Sequence, residues 1–137
     1  MPMIDADTHV TECDDTFAYL ADNERQYAPI KGELPVKPGA SRRGYWLVNG
    51  QQMGRSIRPE GDMWKTMGEL LDVPARVRAM DDMGVDVQVI YPSLFSKSIG
   101  SSMAELALTR SYNRWLADRC GQSGGRLRWI AIPPLHN

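Results

Sequence analysis

The second half of the chain alternates between helical and extended patterns, and this alternation constrains the fold more than any other feature. Apolar residues recur at helical spacing over residues 74–83, and Gly84 follows where a left-handed helix cap belongs. A segment rich in β-branched residues, 85–91, comes next. A second helical pattern over 103–120 precedes another extended segment, 127–132. We therefore expect two helices that alternate with two strands.

A further extended segment, residues 3–10, opens the chain and predicts a first strand. Residues 14–21 are predicted to form a short helix, after which two proline-containing segments, 27–29 and 34–39, predict breaks in regular structure. The order is β-α-β-α-β, which is typical of a parallel sheet with right-handed crossovers. A doubly wound sheet and a (β/α)8 barrel both have this order, although a barrel typically needs about 250 residues.

A β-hairpin is predicted between the first strand and the first long helix. Residues 44–48 and 51–53 are extended in pattern, and Asn49-Gly50 between them suits a two-residue type I′ turn because both residues tolerate positive φ. The hairpin belongs to an insertion over about 23–72, within a single domain that covers 1–137.

Composition excludes several classes of protein. The 137 residues are 42% hydrophobic, carry a formal net charge of -1 and contain no basic block, which argues against nucleic acid as a partner. No apolar run approaches the ~20 residues of a membrane span, and no signal-peptide pattern opens the chain. Cys13 and Cys120 form no C-x-x-C motif, so we expect reduced thiols and a cytoplasmic protein.

The first predicted strand carries the residues with the most informative chemistry. Asp5, Asp7 and His9 are spaced two apart, so a regular strand would place them on one face. A carboxylate and an imidazole at the end of a strand are ligands for a divalent ion such as Zn or Mn. A bare D-x-H pattern is more often a loop histidine paired with an aspartate. The position of this pattern at the end of a strand favours the interpretation as a metal site, because catalytic groups gather at the carboxyl ends of parallel strands.

Four segments, in chain order, resemble one family. Residues 4–12, IDADTHVTE, are similar to the opening of the amidohydrolase-related group that includes aminocarboxymuconate semialdehyde decarboxylase and aromatic-acid decarboxylases. Residues 75–93 resemble the second helix-strand unit of that group, and 112–116 with 125–133 resemble the third. The resemblance covers nearly the whole chain.

The resemblance implies that the chain is the N-terminal β-α-β-α-β portion, about three strands, of a metal-dependent (β/α)8 barrel with a hairpin insertion. Residues that match Asp7 and His9 bind the metal in the family, and Asp5 and Glu12 match positions that would orient the ligands. In that family a metal-bound water attacks a carbonyl-type carbon, or the metal holds a carboxylated substrate while carbon dioxide leaves. The implied substrate is a small carboxylate or amide.

Other side chains are candidates for substrate binding. Arg55 and Arg58 are suited to a bidentate grip on a substrate carboxylate, although solvated surface arginines have the same pattern. Tyr91, Ser93 and Phe95 lie at or just past the end of the second predicted strand, on the side where a barrel site forms.

The remaining ligands of the family, a histidine and an aspartate, come from later strands that this chain lacks. His136 is the other histidine, and as a residue near a chain end we expect it to be exposed. Two ligands do not complete a catalytic site, so the chain alone is not expected to be active. The leading hypothesis is a subunit completed by a complementary chain that carries the rest of the barrel, with a homo-oligomer as the next arrangement. The alternative is a non-catalytic partner, a regulatory subunit or an inactive truncated barrel fragment.

Overall fold

The fold consists of a parallel sheet with two covering helices and a separate antiparallel sheet. It is given by a computed structural model that describes residues 1–35, 37, 43–59, 61–96 and 98–136. The strands are β1 Ile4–His9, β2 Ile30–Leu34, β3 Arg43–Val48, β4 Gln51–Ser56, β5 Val87–Tyr91 and β6 Leu127–Trp129. The helices are α1 Met63–Gly68, α2 Val73–Asp82 and α3 Ser102–Gly121, and 3₁₀ turns span Asp14–Phe17, Asp22–Tyr27 and Leu94–Ser96.

The parallel sheet has the order β1-β5-β6, so each successive strand of the β-α-β-α-β path is added beside the previous one. Helices α2 and α3 pack on the same face of this sheet, in one apolar core. Buried members of this core from the two helices and the sheet include Val73, Met80, Ile90, Tyr112, Trp115, Leu116 and Leu127. The predicted parallel α/β arrangement of three strands is therefore confirmed.

Helix α2 begins and ends as its sequence predicts. The Asp72 carboxylate accepts a hydrogen bond from the backbone N–H of Ala75 at 2.8 Å and caps the first turn. At the other end Gly84 has φ +68°, and the N–H of Val85 bonds the carbonyl of Met80 at 2.9 Å. This closure satisfies late carbonyls and turns the chain directly into β5.

The second sheet is antiparallel, with the order β2-β3-β4. Its β3–β4 connection is the predicted hairpin, with positive φ at Asn49 (47°) and Gly50 (77°) as a type I′ turn requires. Strand β2 lies between Pro29 and Pro35, the prolines where breaks in regular structure are predicted, and the sequence analysis predicts no strand between them. Antiparallel pairing with β3 defines this strand, and a local sequence pattern does not report that pairing. Positions 36 and 38–39 of the segment 34–39 are outside the described residues.

The hairpin packs against the first half of α3 and thereby reaches the carboxyl end of the parallel sheet. Trp46, Val48 and Met53 of the hairpin are buried with Ala104 and Leu108 of α3. Phe17 packs edge-on against Trp46, with ring centroids 5.3 Å apart. The hairpin is thus attached to α3 by its own small core.

The segment between β1 and β2 is held to α3 by polar contacts. Arg119 pairs with Asp15 at 2.6 Å, Arg110 pairs with Glu24, and the Ser111 hydroxyl donates to the carbonyl of Thr16 at 2.7 Å. The helix predicted over 14–21 is a shorter 3₁₀ turn, Asp14–Phe17.

Both cysteines are free and buried in the helix-side core. Burial raises the pKa of Cys120 to about 11 and also raises that of Cys13, so both remain thiols at neutral pH. In the part of the chain that the structure describes, no helix is both long and apolar enough to cross a membrane.

Candidate functional site

Strand β1 is irregular at the D-x-D-x-H segment. Asp5 lies level with Gln88 and Thr8 with Ile90, so three steps along β1 match two steps along β5. One extra residue on β1 breaks the alternation of side chains. The prediction that Asp5 shares a face with Asp7 and His9 by simple alternation is corrected by this register.

Asp5 belongs to a polar network on the helix side of the sheet. Its carboxylate accepts hydrogen bonds from the Thr8 hydroxyl at 2.6 Å, the backbone N–H of Asp7 at 3.1 Å and the Gln88 amide at 3.2 Å. Gln88 in turn accepts a bond of 3.0 Å from the buried guanidinium of Arg76. The network holds the irregular turn of β1 in place, and sequence reasoning missed both Arg76 and Gln88.

The Asp5 network makes stability depend on pH. The hydrogen bond from Thr8, followed by that from Asp7 N–H, lowers the pKa of Asp5 below its ordinary value of 3.8. A carboxyl group whose pKa is lower in the folded state stabilises the fold at pH values above its unfolded-state pKa. This stabilisation is lost as the pH falls through its folded-state pKa. We expect the difference in free energy of unfolding between wild type and Asp5→Asn to shrink as pH falls from 6 to 3. Urea unfolding at each pH checks this, and a difference that stays constant or grows contradicts it.

Asp7 and His9 lie at the carboxyl end of β1. Both are exposed, and Thr8 between them is buried, which is the pattern of a strand with one covered face. His9 lies level with Tyr91 on β5, with ring centroids 6.0 Å apart. The face that carries His9 and Tyr91 is therefore opposite the face that Ile90 presents to the helices.

Glu12 ties the loop after β1 to the loop after β5. This carboxylate is only 2% exposed and accepts hydrogen bonds from the backbone N–H groups of Ser93 (2.9 Å) and Leu94 (3.0 Å). The Ser93 hydroxyl lies 2.5 Å from Glu12 Oε2. Burial raises the pKa of Glu12 above its ordinary value of 4.5, against the opposing effect of these bonds.

A cleft of about 390 Å³ lies between the carboxyl end of the parallel sheet and the hairpin. Its walls include His9, Glu12 and Ser93 from the sheet side, and Trp46 and Arg55 from the hairpin. The Arg55 guanidinium lies over the Trp46 ring, 5.1 Å from its centroid, in a cation–π contact that fixes the arginine. The structure thus brings a histidine, an arginine and a buried carboxylate to one cleft.

The other candidates for substrate binding lie elsewhere. Arg58 is exposed and lies 3.8 Å from the Asp62 carboxylate. Phe95 packs on Tyr112 in the core, with ring centroids 4.9 Å apart. A tryptophan such as Trp46 can line a pocket or fill a core, and the structure places Trp46 in both the hairpin core and the cleft wall. Its place beside Arg55 depends on hairpin register, because the two residues lie on neighbouring strands two pairs apart.

Asp7 and His9 are suitable donors for a divalent metal, but they fill only two positions. Across the described ranges, no three His, Cys, Asp or Glu side chains lie close enough together to hold a metal ion. His136 is engaged with Glu105, whose carboxylate lies 3.0 Å from His136 Nδ1 and accepts the N–H groups of Leu135 and His136. A complete metal site would need further ligands in addition to Asp7 and His9.

The chain matches no protein-family model and no curated protein sequence. Among solved structures it is similar to an amidohydrolase from Mycobacterium avium subspecies paratuberculosis, with a TM-score of 0.64 and 15% sequence identity. The similarity covers 96% of this chain and 42% of the solved chain, so this chain spans less than half the length of that protein. With the parallel β1-β5-β6 sheet and its two helices, this similarity shows that the chain has an amidohydrolase-like fold.

Proposed function

We propose that this chain is the N-terminal part of a metal-dependent hydrolase or decarboxylase, to which it contributes Asp7 and His9 as ligands of a divalent ion, Zn or Mn. The observation that carries the proposal is the exposed Asp7 and His9 pair at the carboxyl end of β1, beside the cleft. Enzymes built on parallel α/β folds have their active sites at this end of the sheet. A metal bound there would supply Lewis acidity to a carbonyl or carboxylate oxygen of the substrate.

The remaining ligands are proposed to come from a complementary chain that carries the rest of the barrel. Metal sites that catalyse reactions have three protein ligands, and Asp7 and His9 supply two. The described residues hold no group of three His, Cys, Asp or Glu side chains that could bind a metal ion, which supports further ligands from outside them. A homo-oligomer is the second arrangement, and size measurement of the purified protein distinguishes them.

The residues around the cleft have separate roles in this proposal. Arg55, held over Trp46, is placed to bind the carboxylate of a small-molecule substrate beside His9. Tyr91 lies beside the His9 ring and limits its orientation. Glu12 acts through Ser93, because it fixes the loop that forms one wall. Asp5 supports the irregular turn that presents Asp7 and His9.

The role of Arg55 is testable with a simple carboxylate probe. Arg55→Ala is expected to weaken binding of benzoate by about tenfold or more, because a charge-assisted hydrogen bond contributes about 1.5–3 kcal/mol. Binding of the uncharged analogue benzamide should change much less. Calorimetric titration of the assembled protein with both probes measures the two effects, with Arg78→Ala, an exposed arginine of α2 outside the cleft, as the control.

Equal loss of benzoate and benzamide binding in Arg55→Ala would instead mean that the substitution damages the cleft as a whole. Unchanged benzoate binding would remove Arg55 from the proposal. Because Arg58 lies outside this cleft wall and near Asp62, we expect Arg58→Ala to have a smaller effect than Arg55→Ala.

The alternative function is a non-catalytic partner or regulatory subunit, and the lack of a three-ligand group among the described side chains favours it over a complete enzyme. The double variant Asp7→Ala, His9→Ala in the assembled protein separates the two functions. Loss of metal and activity supports the catalytic role, whereas an intact assembly with unchanged metal and activity supports the regulatory one.

A further inference from the structure

The outer strand of the hairpin sheet, β2, has a free edge. In the part of the chain that the structure describes, β3 is the one strand that pairs with β2. An edge strand presents unpaired backbone N–H and C=O groups to which another strand can be added. Pro29 and Pro35 lie at the two ends of β2 and carry no N–H, so regular pairing at this edge is limited to Ile30–Leu34.

The side chains of β2 are divided between the two faces of the hairpin sheet. Lys31 lies level with Trp46, which is buried. Because side chains alternate along a strand, Lys31 and Glu33 share the face of Trp46. Ile30 and Leu34 are on the opposite, outer face, where they are 65% and 40% exposed. The outer face therefore carries an apolar side chain at each end of the edge strand.

The sequence of β2 is complementary to itself in the antiparallel direction. With a second copy paired about Gly32, Lys31 lies opposite Glu33 of the other copy at two symmetric positions. In the same register Ile30 lies opposite Leu34 of the other copy, also twice. A two-fold axis perpendicular to the sheet keeps each face on its own side, so the charged pairs share one face and the apolar pairs share the other.

Other antiparallel registers of the same strand are less favourable. A pairing about Lys31 places this lysine opposite its own copy, and a pairing about Glu33 places two glutamates opposite each other. Like charges directly opposite each other destabilise a sheet. A shift that set Lys31 opposite Gly32 would pair residues from different faces, which the alternation of side chains does not allow. The pairing about Gly32 is therefore the favoured register.

Tyr45 of β3 covers the centre of this register. Gly32 lies level with Tyr45, and the tyrosine ring lies across the glycine, where a Cβ would overlap the ring. An aromatic ring over a glycine of an edge strand covers backbone that would otherwise be exposed. In a pair formed about Gly32, the two tyrosine rings lie on the outer face on both sides of the axis. They continue the apolar surface between Ile30 and Leu34.

We propose that the edge of β2 binds β2 of a second copy of this chain, in a two-fold symmetric dimer that joins the two three-stranded hairpin sheets into one. Lys31 pairs with Asp14 and lies 5.5 Å from the centroid of the Trp46 ring, which holds its charge at this edge. The dimer uses neither edge of the parallel sheet. It is thus independent of the proposed metal site and of any arrangement that completes that site.

Charge reversal tests the interface. Short interfaces are weak, so sedimentation velocity from about 1 to 100 µM protein is expected to show two copies of this chain per particle at the higher concentrations. Glu33→Lys places two lysines opposite each other at both positions and should raise the dimer Kd about tenfold or more, an effect that shrinks in about 1 M salt. Asp118→Lys, a reversal at an exposed residue of α3, should leave the dimer Kd unchanged. One copy per particle throughout, or equal effects of the two variants, would overturn the proposal.

Mixing two charge variants tests the antiparallel register. Lys31→Glu and Glu33→Lys are each expected to dimerise poorly alone, because each places like charges opposite each other. An equal mixture should form a heterodimer with a Kd close to that of wild type, since every opposed pair then has opposite charges. A mixture that dimerises no better than either folded variant alone would contradict the register.

Disulfide crosslinking tests the same register without charge changes. The double variant Ile30→Cys, Leu34→Cys places a thiol opposite a thiol of the second copy at two positions, and mild oxidation is expected to give a covalent dimer. Each single variant leaves the two introduced thiols four strand positions apart, about 13 Å, which is too far for a disulfide. A double variant that crosslinks no more than the single variants would overturn the proposal.

Discussion

Replacing either Asp7 or His9 with alanine is expected to remove the metal from the assembled protein and to lower its activity by about 1,000-fold or more. The reason is that Lewis acidity supplies several kcal/mol of transition-state stabilisation, and about 4 kcal/mol corresponds to a factor of 1,000. Elemental analysis should show bound metal fall from about one ion per assembly to less than a tenth. Circular dichroism and size measurement establish that the assembly is still formed, because both side chains are exposed.

The matched control is His136→Ala. This histidine is 61% exposed and is engaged with Glu105 at the other end of the described chain, so its removal should leave metal content unchanged. Full metal content in His9→Ala, or equal metal loss in His136→Ala, would contradict the assignment of His9 as a ligand.

Glu12→Ala is expected to lower the free energy of unfolding by about 3 kcal/mol. The substitution leaves the buried backbone N–H of Leu94 and the partly buried N–H of Ser93 without the carboxylate that accepts them, and an unsatisfied buried group costs about 1–3 kcal/mol. The loop after β5 should loosen with it, because Glu12 links that loop to β1. Urea unfolding gives the change in free energy, and hydrogen exchange at residues 93 and 94 reports the loop.

Ser93→Ala is the matched comparison for Glu12→Ala. It removes one hydroxyl near the carboxylate but leaves both backbone donors paired, so a smaller loss of about 1 kcal/mol is expected. If Glu12→Ala costs no more than Ser93→Ala, the carboxylate is not the link between the two loops.

The pH dependence of Glu12 has the sign opposite to that of Asp5. Burial raises the folded-state pKa of Glu12 above its ordinary value of 4.5, so ionisation of this group opposes folding. The contribution of Glu12 to stability is fully present at pH values below its unfolded-state pKa. It decreases as the pH rises through its folded-state pKa. The stability of wild type relative to Glu12→Gln should therefore decrease as pH rises from 4 to 7.

Local patterns predicted the parts of the fold that local chemistry determines. The Asn49-Gly50 turn requires two positive φ angles that these residues adopt at low cost, and Gly84 closes α2 for the same reason. The long helix over 103–120 was predicted because its buried residues recur at helical spacing, and the structure places it at Ser102–Gly121.

Features that depend on distant pairing were missed. The extra residue of β1 is visible only in its register with β5, and β2 is defined by its pairing with β3 rather than by a local pattern. Helix α1 has only six residues, too few for a periodic pattern. Leu70, just after it, has φ 51° although it is fully buried, a conformation that packing imposes against local preference.

The candidate site also contains some residues that the sequence predicts and others that only the fold brings together. The spacing of Asp7 and His9 on the first strand predicts a ligand pair, Glu12 enters only through the family resemblance, and the metal role of these residues stays a prediction. The cleft wall formed by Arg55 over Trp46 and the Arg76–Gln88–Asp5 network join elements that are separated in sequence. Only the folded arrangement brings these groups together.

The central claim is that Asp7 and His9 contribute to a metal site that another polypeptide completes. Native mass spectrometry combined with elemental analysis, on protein purified from its source without added metal, tests it most directly. The account predicts this chain in a stoichiometric complex with a second polypeptide that carries further barrel strands, with about one divalent ion per complex. Protein purified from its source without bound metal would contradict the account.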